Sequence, residues 1–136
     1  MKIFADSDAY IAIYVPSDPN NLKAEKISSI IEAEDIETYT SWEVLDEVAT
    51  KLSFRVSKIV AKKFLEDRTN SKDRIYYVNE LNFKKVIETF NAQTSKNVSL
   101  TDCANMFIAR ELEIDMFFSF DKHYKQNGFK LLEETM

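Results

Sequence analysis

The chain has 136 residues, 45% of them apolar, which suits one compact domain with a real core and is too short for two ordinary ones. A lone cysteine, Cys103, and a lone histidine exclude an internal disulfide, a thiolate zinc cluster and a multi-histidine metal centre, and a single glycine, Gly128, excludes the glycine-rich loops that cradle nucleotide phosphates. The net charge of -5 argues against a general nucleic-acid binder, yet it is uneven, with +5 between Lys51 and Arg74 and -10 over the remainder.

Asp6 and Asp8 fall where a signal peptide needs its apolar centre, and no apolar run approaches the length of a membrane span. A soluble, cytoplasmic protein with no membrane partner is therefore expected. Lys2 to Ala5 reads as a first strand with Asp6 at its carboxyl end, and DSDAYIAIYV as helical turns up to Pro16. After a loop, Leu22, Ile27, Ile30 and Ile31 mark an amphipathic helix, and the acidic run from Glu32 to Glu37 reads as a solvated turn. Thr38 to Ser41 resembles a second strand. Trp42 to Leu52 and Val56 to Leu65 read as two helices meeting near Ser53. Lys51, Arg55, Lys58 and Lys62 follow helical spacing, either as one phosphate-facing stripe or as a solvated face opposite Leu52, Val56, Ile59 and Val60.

Ile75 to Val78 is a brief β-like run, and Leu81 to Phe90 has helical periodicity. The polar loop Asn91 to Asn97 leads to Ser99, where an internal helix begins: Leu100, Cys103, Ala104, Met106, Phe107, Ile108, Ala109 and Leu112 cover most of its circumference. Ile114 and Met116 to Phe118 form a strand buried on both faces, which the polar Ser119 and Asp121 terminate. Asn127-Gly128 is a turn before the last apolar run, Phe129 to Leu132. There is no internal repeat, low-complexity segment or linker. Short strands alternating with helices imply right-handed crossovers and a parallel sheet covered on both faces.

The chemistry lies in carboxylates at the expected ends of strands. Asp102 fits a capping box with Ser99, an adequate structural role by itself. In the helix after the second strand, Asp46 points away from the apolar face, and Glu43 fits a capping box with Thr40. Glu47 borders the apolar face, and spacing leaves the choice between Glu43 and Glu47 open. Asp6, one of those glutamates, Asp102 and Asp121 would converge if their strands lie side by side. Gathered without cations they would repel one another, so the cluster makes sense as a cation site. Oxygen ligands favour Mg²⁺ or Mn²⁺ over zinc, and such an ion can activate water against a phosphodiester. Asp8 reads as a helix cap in preference to an auxiliary carboxylate, and Cys103 as a small core residue.

The segments KIFADSDAYIA, YTSWEVLDEVATKL, VSLTDCANMFIARELEI and MFFSFDKHYKQNGFKLL stand in this order over nearly the whole chain, and together they resemble PIN-domain ribonucleases, the family that includes VapC-type toxins of toxin-antitoxin pairs. The last two segments are the most specific. The resemblance implies a PIN-like three-layer α/β fold, with a central, mainly parallel sheet flanked by helices, as one domain over residues 1–136. Its acidic quartet, both catalytic and metal-binding, falls on Asp6, Glu47, Asp102 and Asp121, choosing Glu47 over Glu43 by analogy. Ser119 matches a hydroxyl that helps to hold metal-bound water or phosphate, and Ser7 the small hydroxyl residue after the first acid.

The implied activity is Mg²⁺- or Mn²⁺-dependent endoribonuclease cleavage of single-stranded or structured RNA. The implied partners are a small antitoxin protein and a second copy of the chain, with the helix pair between Trp42 and Leu65 as the dimer or antitoxin surface. His123 reads as a scaffold residue near the site. Trp42, Tyr10 and Tyr14 read as core or interface residues ahead of base-stacking platforms. Two rival readings are a haloacid-dehalogenase-like phosphatase using Asp6 and Asp8, which lacks a downstream Gly-Asp-x-x-x-Asp pattern, and a non-catalytic PIN-like RNA-binding module.

Overall fold

A computed structural model describes residues 1–135. The elements run β1 (Lys2–Ala5), α1 (Ser7–Tyr14), α2 (Asn21–Ala33), β2 (Glu37–Ser41), α3 (Trp42–Arg55), α4 (Lys58–Asn70), β3 (Arg74–Tyr76), α5 (Glu80–Asn91), α6 (Leu100–Glu111), β4 (Met116–Phe118) and α7 (His123–Gln126), followed by a 3₁₀ turn, Leu132–Thr135. All four strands are parallel, in the order β3-β2-β1-β4. This is the α/β arrangement expected from alternating strands and helices.

β1 after Lys2 and the adjacent β4 carry only apolar side chains, which suits them to cover on both faces, whereas β2 buries the hydroxyls of Thr38, Thr40 and Ser41. Ile3, Phe4 and Phe117 are fully buried, and the ring of Phe4 meets that of Phe117 at 5.4 Å. Phe117 also stacks on Tyr124 at 4.0 Å and 14°, which anchors α7 beneath the end of β4. The last apolar run adds one isolated bridge, Leu131 to Phe117, and no strand. Ile114 also lies outside β4: Glu113 turns the chain with a φ of 54°, and only after Asp115 donates to the Lys2 carbonyl does pairing with β1 begin.

Two expectations about the helix pair fail for local reasons. The break falls at Val56–Ser57 and not near Ser53, because Leu52 is a buried face residue of α3 and the Ser57 side chain caps α4 by accepting the Val60 N–H at 3.1 Å. Lys51 and Arg55 therefore belong to one helix and Lys58 and Lys62 to the next, so the four do not follow the spacing of a single helix face. α4 buries Ala61 and Phe64, leaving Val56 44% and Ile59 79% exposed where an apolar face was expected. Among the described residues no helix is long and apolar enough to cross a membrane.

Candidate metal centre

β1 lies between β2 and β4, so the chain leaves the carboxyl end of the sheet in opposite directions on its two sides. A crevice opens at such a switch point because the connections diverge there. Asp6 follows β1 directly, Ser119 to Asp121 follow β4, and the Asp6 N–H donates to the Phe118 carbonyl at 3.1 Å, which stitches the two strand ends together.

Asp6 caps α1 through its own side chain: Oδ1 accepts the Ser7 N–H at 2.7 Å and the Asn105 amide at 3.1 Å, while Oδ2 accepts the Tyr124 hydroxyl at 2.7 Å. Only 4% exposed, its carboxyl is pushed well above the ordinary range by burial and then by Asp8 and Asp102, against the pull of these hydrogen bonds. Asp102 caps its helix with one oxygen and keeps the other out of the cap. Its Oδ2 accepts the Ser99 N–H at 2.9 Å and its own N–H donates to Ser99 Oγ at 3.0 Å, completing the capping box. Its Oδ1 is left free of the cap and sits 3.4 Å from the Tyr124 hydroxyl, so capping aims the second oxygen at the crevice. Burial raises the pKa of Asp102 as well.

Asp121 accepts the His123 N–H at 2.9 Å, and its own N–H donates to the buried Ser119 Oγ at 3.0 Å. His123 Nδ1 lies 2.8 Å from the same Asp121 oxygen but out of line for a hydrogen bond, and it has no other partner. Ligand atoms of Asp102, Asp121 and His123 all lie within 4.8 Å of one another. Two carboxylates and an imidazole with an unpartnered nitrogen, next to a third carboxylate starved of counter-charge, are a donor set that fits a divalent cation. His123, read from sequence as scaffold, stands among those donors.

Asp8 is not the cap of α1, because Asp6 holds that position. Its Oδ2 instead accepts Ser119 Oγ at 3.1 Å and the Phe120 N–H at 2.8 Å, pinning the exit of β4, and its Oδ1 is buried without a partner. Burial, with a smaller push from Asp121, raises Asp8 from 3.8 to about 6. With Asp6, Asp8 and Asp102 all raised, the metal-free folded chain holds protons that the unfolded chain has already released. Stability from these groups is fully present below the unfolded carboxylate range and lost as pH rises through the folded values. The melting temperature in EDTA is thus expected to climb as pH falls from neutral to about 5, and less steeply in Asp8→Asn. Identical slopes in the two proteins, read by circular dichroism, would contradict this.

Glu43 forms no capping box with Thr40: Ser41 caps α3 by accepting the Val44 N–H at 3.2 Å, while the Thr40 hydroxyl donates to the Ala5 carbonyl at 3.0 Å. Glu43 Oε2 is buried without a hydrogen-bond partner. Glu47 pairs with Lys51 at 3.1 Å and is not in the close group of Asp102, Asp121 and His123. Of the aromatics, Tyr10 is core, with Arg68 over its ring and its hydroxyl 3.3 Å from Asp73; Tyr14 is half-buried and bonds Asp67; Trp42 stays 53% exposed. Asn105 and Tyr124, both fully buried, were not singled out from the sequence. Asn105 could have been, as the one amide in the apolar run CANMFIA.

No protein-family model matches the chain, and no curated protein matches its sequence. Its structure is similar to that of VapC20 of Mycobacterium tuberculosis, described as a sarcin-ricin loop cleaving toxin, with a TM-score of 0.83, 21% identity, and coverage of 93% of this chain and 95% of that one. The PIN-like fold expected from the four sequence segments is thus the fold of this chain.

Proposed function

We propose that this chain is a single PIN-like domain over residues 1–136 that acts as a Mg²⁺- or Mn²⁺-dependent endoribonuclease, the toxin of a toxin-antitoxin pair. The observation that carries the reading is the convergence of Asp102, Asp121 and His123 within 4.8 Å, beside Asp6, at the switch point of a fold shared with an RNA-cleaving toxin. Asp6, Asp102 and Asp121 would hold the ion, and Glu47, paired with Lys51 in the structure, would be the fourth member of the quartet that the resemblance implies. Bound there, a divalent ion supplies an activated water and neutralises charge on the phosphate. Ser119 positions: its hydroxyl ties Asp8 to the backbone of Asp121, and so fixes the Asp121 carboxylate relative to β4.

The phosphatase alternative, with Asp6 and Asp8 as nucleophile and acid/base, is disfavoured by a fold shared with an RNA-cleaving toxin and by Asp8, whose Oδ2 is tied to Ser119 and the Phe120 N–H. For the partner, a carboxylate cluster attracts an arginine fork, and burial of Phe54 and Ile59, 86% and 79% exposed, by an amphipathic segment would add the affinity that one ion pair lacks. A second copy of the chain is the other expected partner, and action on cytoplasmic RNA follows from the toxin role.

The neighbour's target makes a sarcin-ricin loop RNA the first substrate to test, followed by transcriptome-wide mapping of new RNA ends after brief expression. Cleavage with Mn²⁺ and none with EDTA is expected, along with growth arrest relieved by a short reading frame beside the gene. Full cleavage in EDTA would overturn the metal-dependent reading; harmless overexpression of an active enzyme would overturn the toxin role alone.

A further inference from the structure

A thread of polar groups runs through the apolar interior beneath the carboxylates. Asn105 is fully buried within α6, between Ala104 and Met106. A mid-helix asparagine has poor propensity, and a buried amide costs free energy unless its groups are bonded. Here they are: Ser41 Oγ donates to Oδ1 at 3.3 Å, while Nδ2 donates to Asp6 Oδ1 at 3.1 Å and to the Tyr124 hydroxyl oxygen at 3.0 Å. The partners settle the amide's orientation, since only the NH₂ end can serve a carboxylate. Tyr124 then donates its one hydrogen to Asp6 Oδ2 at 2.7 Å, with Asp102 Oδ1 3.4 Å from the same phenol oxygen.

Asp6 therefore receives three donors shared between its two oxygens, a set that leaves its carboxylate no freedom to rotate. One phenol also spaces Asp6 from Asp102, and the ring that carries it is clamped against Phe117 at 4.0 Å. An apolar pair of the same shape could fill the core without the desolvation cost of an amide and a phenol. The polar pair is useful where carboxylate geometry matters.

We propose that Asn105 and Tyr124 are positioning residues that fix the orientation of the Asp6 carboxylate and its spacing from Asp102 for a divalent cation. This rests on the metal-centre reading above. The test is Mn²⁺ affinity of the full chain, followed by electron paramagnetic resonance of free Mn²⁺, with melting in EDTA as the control for folding. Wild type is expected to bind Mn²⁺ and Asp102→Asn to bind it poorly. Tyr124→Phe, which keeps the ring stack, and Asn105→Ala, which leaves it untouched, are expected to remain folded and to bind Mn²⁺ about tenfold to a hundredfold more weakly, the usual range for groups that orient ligands. A fall in kcat with KM for RNA unchanged is expected alongside. If wild type binds no Mn²⁺, the metal-centre reading falls and this proposal with it. If wild type binds and either folded variant matches its affinity, only the positioning role is overturned. Loss of folding in both variants would overturn it too, by assigning the pair to the core.

Discussion

Asp102→Asn is expected to leave the chain folded, to remove most of its thermal response to Mn²⁺ or Mg²⁺, and to lower RNA cleavage by about a hundredfold or more, equivalent to about 3 kcal/mol of lost transition-state stabilisation. The separation of folding from function follows from the two oxygens of Asp102. The capping interaction uses Oδ2, with the Ser99 N–H at 2.9 Å, and an asparagine oxygen can accept the same bond. The oxygen 3.4 Å from Tyr124 is the one that becomes an NH₂, which cannot ligate a cation. Removing a charge beside Asp6 also relieves repulsion, so the variant in EDTA should melt no lower than wild type. Added metal raises the melting temperature by binding linkage only where it binds the folded state. An equal rise in wild type and Asp102→Asn, measured by scanning fluorimetry, would sink the assignment.

Glu47→Gln is expected to abolish detectable cleavage while the chain stays folded, and Glu43→Gln to retain it. The motive is the family resemblance of YTSWEVLDEVATKL, and the structure alters the physical case beside it. Glu43 has no part in a capping box, so its stability role is not the one the spacing with Thr40 implied. Glu47 bonds only Lys51, an exposed pair on one helix face, and such pairs are worth little, so a divalent ion can displace the lysine without a large penalty. Because Glu43 carries a buried oxygen with no partner, Glu43→Gln supplies a donor there and should change stability by about 1 kcal/mol at most. Cleavage assays of both variants decide the matter: activity retained in Glu47→Gln and lost in Glu43→Gln would transfer the metal role to Glu43.

Much of the local structure was legible because its causes are local. The apolar run of β1, the period of α6 and the Ser99–Asp102 capping box each depend on residues within a turn or two, and each appears where the sequence placed it. The misplaced break between α3 and α4 has a local cause as well: Ser53 and Ser57 both belong to a residue type that can cap a helix, yet only Ser57 does so, while Ser53 lies inside α3 beside the buried Leu52. The carboxyl ends of the strands could likewise be marked as the place for acids from β1 and β4 alone. The partners of those acids could not. Asp8 is pinned by Ser119, 111 residues away, and not by its own helix. Asp6 is held by Tyr124 across 118 residues and by Asn105 across 99.

The sequence by itself determined the order of elements through β4, the parallel character of the sheet and which acids stand at strand ends, since hydrophobic period and capping chemistry act over a few residues. The tertiary structure alone decided that β1 lies between β2 and β4, that His123 stands among the donors, and that Asn105 and Tyr124 grip Asp6. Those outcomes depend on how separate elements pack, and a buried hydrogen bond between distant side chains leaves no periodic trace in the chain that makes it.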